Sequence, residues 1–280
     1  MEMIKLNNGI EMPILGYGTF QVTDPKVCED SVAFALQNGY RLIDTAQAYG
    51  NEEAVGAGIK KSGVSREEIF LTTKVWFHSY ESGDCRKSVL ESMQKLGVDY
   101  LDMVLLHWPF GNTYAAWRDL EKLYEEGKIR AIGISNFDPD RMIDFIKFNK
   151  FVPAINQIET HLFCQRQEEH EWMDKYKVSH QAYAPLGQGH ANEMFEKNEV
   201  KAIAAKYGKT PAQVLLRFLT QCGVAVIPKS VHEERIKENI NIFDFTMTEE
   251  ELNSLRALDT AEPMIGKAES PETVEFAMTW

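Results

Sequence analysis

The sequence predicts an α/β chain folded as one (β/α)8 TIM barrel, a single domain over residues 1–280, with a β-hairpin before it and an extra helix at the C-terminal side. Three observations carry the prediction. Eight short apolar runs alternate with stretches of helical period, and the repeat averages roughly 35 residues per strand-helix unit. Strands separated by a helix at that spacing pair in parallel through right-handed crossovers. The length also suits one barrel, since barrels of about 250 residues are common.

Taken in order, Ile4–Leu6 and Glu11–Pro13 flank an Asn7-Asn8-Gly9 turn and read as the hairpin. The first barrel strand is Ile14–Phe20, followed by a helix opening at Asp24-Pro25, with Val27, Val32, Ala35 and Leu36 at helical spacing. Strand two, Arg41–Ala46, leads to a helix over about 51–61, and strand three, Ile69–Trp76, to a helix ending at Leu96-Gly97. Leu101–Trp108 is apolar almost throughout, as a strand buried on both faces should be. Its helix covers 114–126; Ile129–Asn136 follows, then a helix from Pro139 to Asn149, Pro139 being suited to a first helical turn. Ala154–Glu159, a helix over 167–176 and Ser179–Ala184 come next, then helices over 200–207 and 211–222. The eighth strand is Val224–Pro228, with a helix from His232 to about Ile240. A last helix over 248–258 opens with Thr248 and Glu251 as a capping box, and the Pro-interrupted tail from Asp259 is expected to lie over the barrel.

With 44% hydrophobic and 26% charged residues the composition is that of a globular protein with a large core. A formal charge of −12 argues against nucleic-acid or anionic-membrane partners, while leaving room for a local basic pocket. Cys28, Cys85, Cys164 and Cys222 form no paired motif, so neither a disulfide framework nor a zinc knuckle is expected. Residues 1–12 hold no apolar signal core and no run of 18 apolar residues occurs, which gives the expectation of a cytoplasmic protein.

In a parallel barrel the strands' C-terminal ends form the active-site mouth. Those ends carry Thr19 and Phe20, Asp44, Lys74 and Trp76, His107 and Trp108, Ser135 and Asn136, Gln157 and Glu159, Tyr183, and Lys229 with Ser230; Tyr49 follows five residues after Asp44. Such a set suits proton transfer. A phenol with a pKa near ~10 needs a neighbouring cation to act as an acid at neutral pH, and Lys74, held by Asp44, supplies one. Tyr49 is then the general acid, and His107 orients a substrate carbonyl. A carbonyl protonated on oxygen must receive a hydride on carbon, and in the absence of flavin or metal signals a nicotinamide is the expected donor.

The runs Leu42-Ile43-Asp44-Thr45-Ala46 with Tyr49-Gly50-Asn51-Glu52, Thr73-Lys74-Val75-Trp76 and Leu106-His107-Trp108-Pro109 closely resemble the aldo-keto reductases. Gly133-Ile134-Ser135-Asn136-Phe137, Asn156-Gln157, Tyr183-Ala184-Pro185-Leu186 and Ile227-Pro228-Lys229-Ser230 continue the resemblance, which spans about residues 4–260. It implies a catalytic tetrad of Asp44, Tyr49, Lys74 and His107. It also implies that Ser135, Asn136 and Gln157 hold the nicotinamide carboxamide, that Tyr183 stacks on the ring, and that Gly18, Thr19, Leu186 and Gln188 border the cofactor groove. Lys229, Ser230, Val231, Arg235, Glu238 and Asn239 match the adenosine-phosphate segment, the two cations favouring NADPH (NADP+) over NADH. Phe20, Trp76, Trp108 and Phe110 would line an open pocket for a small carbonyl, as in the shorter bacterial members that reduce glyoxals or keto-sugars such as 2,5-diketo-D-gluconate. A monomer is expected. His232, Leu162 and Gln188 depart from common choices and bear on the edge of the groove. Two competing readings are a metal-dependent hydrolase using Asp44, His107, Glu159 and His161, which leaves Lys74 without a role, and an NADPH-sensing barrel without turnover.

Overall fold

A computed structural model describes residues 1–266, 270–277 and 279. An antiparallel hairpin of β1 (Met3–Lys5) and β2 (Glu11–Pro13) precedes eight parallel strands: β3 (Tyr17–Gly18), β4 (Leu42–Asp44), β5 (Phe70–Val75), β6 (Leu101–Leu106), β7 (Ile129–Ser135), β8 (Ile155–Glu159), β9 (Ser179–Tyr183) and β10 (Ala225–Val226). Each strand pairs with its sequence neighbour. A parallel bridge from Leu15 to Val226, with Gly16 N donating to Val226 O at 2.8 Å, closes β10 onto the first strand. Closure leaves no open sheet edge.

Helices surround the barrel because one face of each is apolar and the strands between them are largely buried on both faces. In α1 (Pro25–Gln37) Asp24 caps the first turn by accepting from Val27 N at 2.9 Å. At the helices Pro211–Gln221 and Glu249–Arg256 reciprocal capping boxes, Thr210 with Gln213 and Thr248 with Glu251, satisfy the amides left over at the start. The helix-facing core includes the fully buried Trp117, Phe145, Leu36 and Val89. Inside the barrel a second cluster of Leu42, Phe70, Met103, Leu105, Ile155 and Ile227 is plugged from below by Leu6, Met12 and Ile14 of the hairpin region. Asn7 and Asn8 fasten that plug by donating to the carbonyls of Pro153 and Arg130 at 2.9 and 3.0 Å. One end of the barrel is therefore sealed with hydrocarbon, each large side chain stabilising by about 1.5–3 kcal/mol, and the other is left for chemistry.

The predicted strands and helices are present, most of them shorter than expected by one to a few residues. The largest difference is the first strand, where only Tyr17–Gly18 has sheet geometry within the expected 14–20. Val27 is exposed and Cys28 takes the inward position on α1. Two short helices were not expected: Ala191–Phe195, in the loop after β9, and Pro271–Ala277 in the tail. The tail crosses the end of β8, where the Glu159 carboxylate accepts from the amides of Met264 and Ile265 at 2.6 and 3.0 Å. The rest of the tail expectation concerns residues 267–269, 278 and 280, outside the described residues. All four cysteines are free thiols. No helix among the described residues is long and apolar enough to cross a membrane.

Candidate active site

Asp44 ends β4, Lys74 lies on β5 and His107 follows β6, so three adjacent strands deliver them to one spot. Tyr49 arrives from a single 3-10 turn, Gln47–Tyr49, that begins three residues after Asp44. Asn51 ties this turn down: its amide donates to Thr19 O and Val22 O at 2.9 and 3.1 Å, and its carbonyl oxygen accepts from Thr45 Oγ1 at 3.0 Å.

Lys74 is fully buried, and its ammonium donates to Asp44 Oδ1, to Thr45 O at 3.0 Å and to Tyr49 Oη at 3.1 Å. An ammonium has three hydrogens and no acceptor, so at the third contact the phenol oxygen must accept. The hydroxyl hydrogen of Tyr49 is thereby left free. Burial pushes the phenol above its ordinary range, while Lys74 pulls the other way. Burial disfavours the charge of Lys74, but Asp44 and Tyr49 hold its proton more tightly than in water. A protonated phenol on a charged lysine is the resting state.

Burial and the nearby Lys74 charge drive His107 well below the usual imidazole range, so the ring is neutral. Its Nδ1 is buried with no partner. With Nδ1 unpartnered, nothing among the described residues prevents the neutral ring from carrying its hydrogen on Nε2. The Tyr49 and His107 rings lie 5.8 Å apart, edge to face. Around them Phe20 packs on Tyr49 at 4.9 Å and Trp76 on His107 at 5.2 Å. Phe20 is 44% exposed, Trp76 and Trp108 are half-buried, and Phe110 is buried, stacked behind Trp108 at 5.3 Å.

A second polar group adjoins the first. Ser135 Oγ donates to Gln157 O at 2.7 Å, and Asn136, in the left-handed region at φ 63°, donates to His107 O at 3.0 Å and accepts from Tyr183 Oη at 2.8 Å. The Gln157 amino group donates to Asp44 Oδ2 at 2.8 Å and to Gln181 Oε1 at 2.7 Å. Thr19 spends its amide and hydroxyl on Asp44 O, at 3.0 and 3.1 Å. Gly18 N donates to Pro228 O at 3.1 Å, and a Cβ on Gly18 would lie 2.8 Å from Ile227 O, so that crossing requires glycine. Tyr17 Oη donates to Ser230 O at 2.6 Å, placing the segment after β10 beside the mouth. There Lys229 and Arg235 are exposed and have no ion-pair partner among the described residues; Val231 is half-buried and Asn239 buried. Glu238 accepts from Thr210 Oγ1 at 2.7 Å. Leu186 is half-buried and Gln188 exposed on the loop after β9, the latter at φ 37°.

The residues present fit a nicotinamide dinucleotide. A ring face on Tyr183, a Gln157 Oε1 that receives no hydrogen bond from the described residues and the exposed Lys229 and Arg235 after β10 lie on the mouth side of the barrel, matching a flat amide-bearing ring at one end and phosphate at the other. In contrast, Glu159 and His161 bond to each other at 3.1 Å and Glu159 also holds the tail, and Asp44 is occupied by Lys74 and Gln157, so three of the four residues of the hydrolase reading, all but His107, have other partners. Sequence reasoning missed Gln47, whose amide donates to Ser88 O and Ser92 Oγ at 2.9 and 3.0 Å while its oxygen accepts from Trp76 N at 3.1 Å, bracing the Tyr49 turn against the Trp76 wall. It missed Gln181 as well, although the two-residue alternation of a strand puts Gln181 on the same side as Tyr183.

Comparison with known proteins agrees with this geometry. The model of the aldo/keto reductase family matches residues 14–260. A glyoxal reductase of Bacillus subtilis is 42% identical over 93% of this chain and 94% of its own length. Methylglyoxal reductase DkgA of Escherichia coli is 39% identical, with 98% of each chain covered. The crystal structure of a Bombyx mori aldo-keto reductase in complex with NADP superposes with a TM-score of 0.90 at 30% identity, covering 95% of both chains. With its barrel, its buried lysine bonded to a half-buried tyrosine and a family match across most of its length, the chain belongs to the aldo/keto reductase family.

Proposed function

We propose that the protein is an NADPH-dependent carbonyl reductase acting on small aldehydes and ketones, glyoxals or keto-sugars among them, with Tyr49 as the proton donor. One observation carries the reading: Lys74 spends its three hydrogens on Asp44, Thr45 and Tyr49, so the phenol keeps its own hydrogen for a guest in the mouth. When bound, a reduced nicotinamide supplies the hydride. The chain's own residues do the rest. Neutral His107 offers an Nε2 hydrogen to the carbonyl oxygen and orients it toward Tyr49, whose proton completes the alcohol. Lys74 stabilises the phenolate left behind, and Asp44 keeps the lysine charged and in place. Phe20, Trp76 and Trp108 exclude water from one side of the reacting atoms, in a mouth open enough for small substrates. Ser135, Asn136, Gln157 and Tyr183 would hold the nicotinamide end, and Lys229, Ser230 and Arg235 a 2′-phosphate. The NADP complex of the silkworm relative and the activities named for the bacterial relatives support this assignment.

The test follows NADPH absorbance with methylglyoxal, an aromatic aldehyde and a keto-sugar. Tyr49→Phe should lower kcat by about 10²–10⁴-fold, with the NADPH dissociation constant nearly unchanged. Wild-type turnover in that variant would end the proposal.

A further inference from the structure

Two main-chain groups of opposite polarity meet at the half-buried Gln47. The Trp76 amide, just past the end of β5, can only donate, and it lies 3.1 Å from Gln47 Oε1. The Ser88 carbonyl, in the helix Asp84–Leu96, can only accept, and it lies 2.9 Å from Gln47 Nε2. Both ends of the side-chain amide are thereby assigned. Ser92 Oγ also accepts from the amino group at 3.0 Å, beside the Ser88 hydroxyl. The helix end of this bracket is itself tied to β5: Ser92 Oγ donates to Glu52 Oε2 at 3.3 Å, and Thr73 Oγ1, one residue before Lys74, donates to Glu52 Oε1 at 2.6 Å. The contacts form a ring that runs from Thr73 along the chain to Trp76 and back through Gln47, Ser92 and Glu52. Among long side chains, methionine has neither polar end, lysine and arginine lack the acceptor, and an ionised glutamate lacks the donor; glutamine supplies both.

The bracket stands where the mouth takes its shape. Gln47 opens the turn that carries Tyr49 two residues on, and Trp76 follows Lys74 by two residues. The Tyr49 and Trp76 rings each meet the His107 ring near the perpendicular, at 75° and 81°, so both border the space beside the imidazole. We propose that Gln47 is a positioning residue for substrate specificity, holding the Trp76 wall at a fixed span from Tyr49 and so fitting the space beside His107 to small carbonyls. The inference rests on the reductase reading above and concerns the substrate side of the mouth. When the Trp76 arm is removed the wall moves outward. A small carbonyl then loses the surface that aligns its oxygen with Tyr49 and His107, while an aromatic one gains room.

The test measures kcat and KM for methylglyoxal and for benzaldehyde, and the NADPH dissociation constant by quenching of tryptophan fluorescence. Gln47→Met, similar in length but without either polar end, should lower the ratio of kcat/KM for methylglyoxal to that for benzaldehyde by about 2- to 12-fold, the worth of one hydrogen bond. KM for methylglyoxal should rise, and NADPH affinity should stay within about twofold. A misfolded fraction scales kcat for both carbonyls alike and moves neither KM nor the ratio, so these readouts separate positioning from folding. Gln47→Glu keeps an oxygen for the Trp76 amide in either protonation state and should return the ratio to near the wild-type value. An unchanged ratio in Gln47→Met would overturn the proposal, as would a ratio that Gln47→Glu fails to restore. A loss of NADPH affinity as large as the change in ratio would also overturn it, because it marks a disturbance of the whole mouth. If the wild type oxidises NADPH with neither carbonyl, the reductase reading fails and this inference with it, and that outcome is visible before any variant is compared.

Discussion

Replacing Lys74 with methionine keeps the length of the side chain and deletes its charge. The structure gives two separable consequences. Asp44, 1% exposed, loses its cation and keeps Gln157 as its side-chain donor, at 2.8 Å. Stranding a buried charge by removing its partner costs about 3–5 kcal/mol, which in a chain of this size corresponds to roughly 6–20 °C in Tm. Tyr49 also loses the cation that opposes burial, so its proton becomes harder to release and kcat should fall by about 10²–10⁴-fold. The double variant Asp44→Asn with Lys74→Met removes the stranded charge. It should recover most of the stability and none of the turnover. Thermal unfolding followed by near-ultraviolet circular dichroism, alongside NADPH oxidation kinetics, separates the two effects. A single variant within about 1 kcal/mol of wild type, or one with near-normal kcat, would refute the reasoning, as would a double variant that recovers activity.

Other expectations follow from single contacts. Gly58, within the helix Glu52–Ser62, faces α1 so closely that a Cβ would lie 2.7 Å from Glu29 O; Gly58→Ala should destabilise by about 1–3 kcal/mol in urea titration, against the roughly 1 kcal/mol that alanine gains in an open helix. His107 and His180 are both held well below the ordinary imidazole range, chiefly by burial. The unfolded chain then binds more protons below about pH 6.5, so their contribution is present above that pH and is lost as pH falls; urea midpoints should drop between pH 7 and 5.5, and His180→Gln should flatten part of the slope. Arg235 is exposed, without an ion-pair partner among the described residues, in the segment after β10, and Arg235→Ala should raise the NADPH dissociation constant about 10- to 100-fold, the worth of a charged hydrogen bond, while NADH binding stays within about twofold. Equal loss for both dinucleotides would move the 2′-phosphate elsewhere.

Much of this protein is legible in its sequence because its signals are local. Hydrophobic period marks each strand and helix, capping residues such as Asp24 and Thr248 mark helix starts, and the order of strand ends lines Asp44, Lys74 and His107 along one rim. The polar residue types at those ends suffice to suggest proton transfer. What the sequence could not show was partnership. Val27 and Cys28 are both apolar, and which of them faces inward on α1 depends on how the helix rolls against the barrel. Gln47 and Gln181 look like ordinary polar residues until folding brings them within hydrogen-bond reach of Trp76 and Gln157. The three donations of Lys74, the orphaned Nδ1 of His107 and the one-way orientation of Gln157 depend on distances between strands far apart in the chain. Residue types and their period are properties of neighbours along the chain, so the sequence alone determines the elements and the chemistry available. Hydrogen-bond direction and burial depend on the closed barrel, and so only the tertiary structure decides which proton is free.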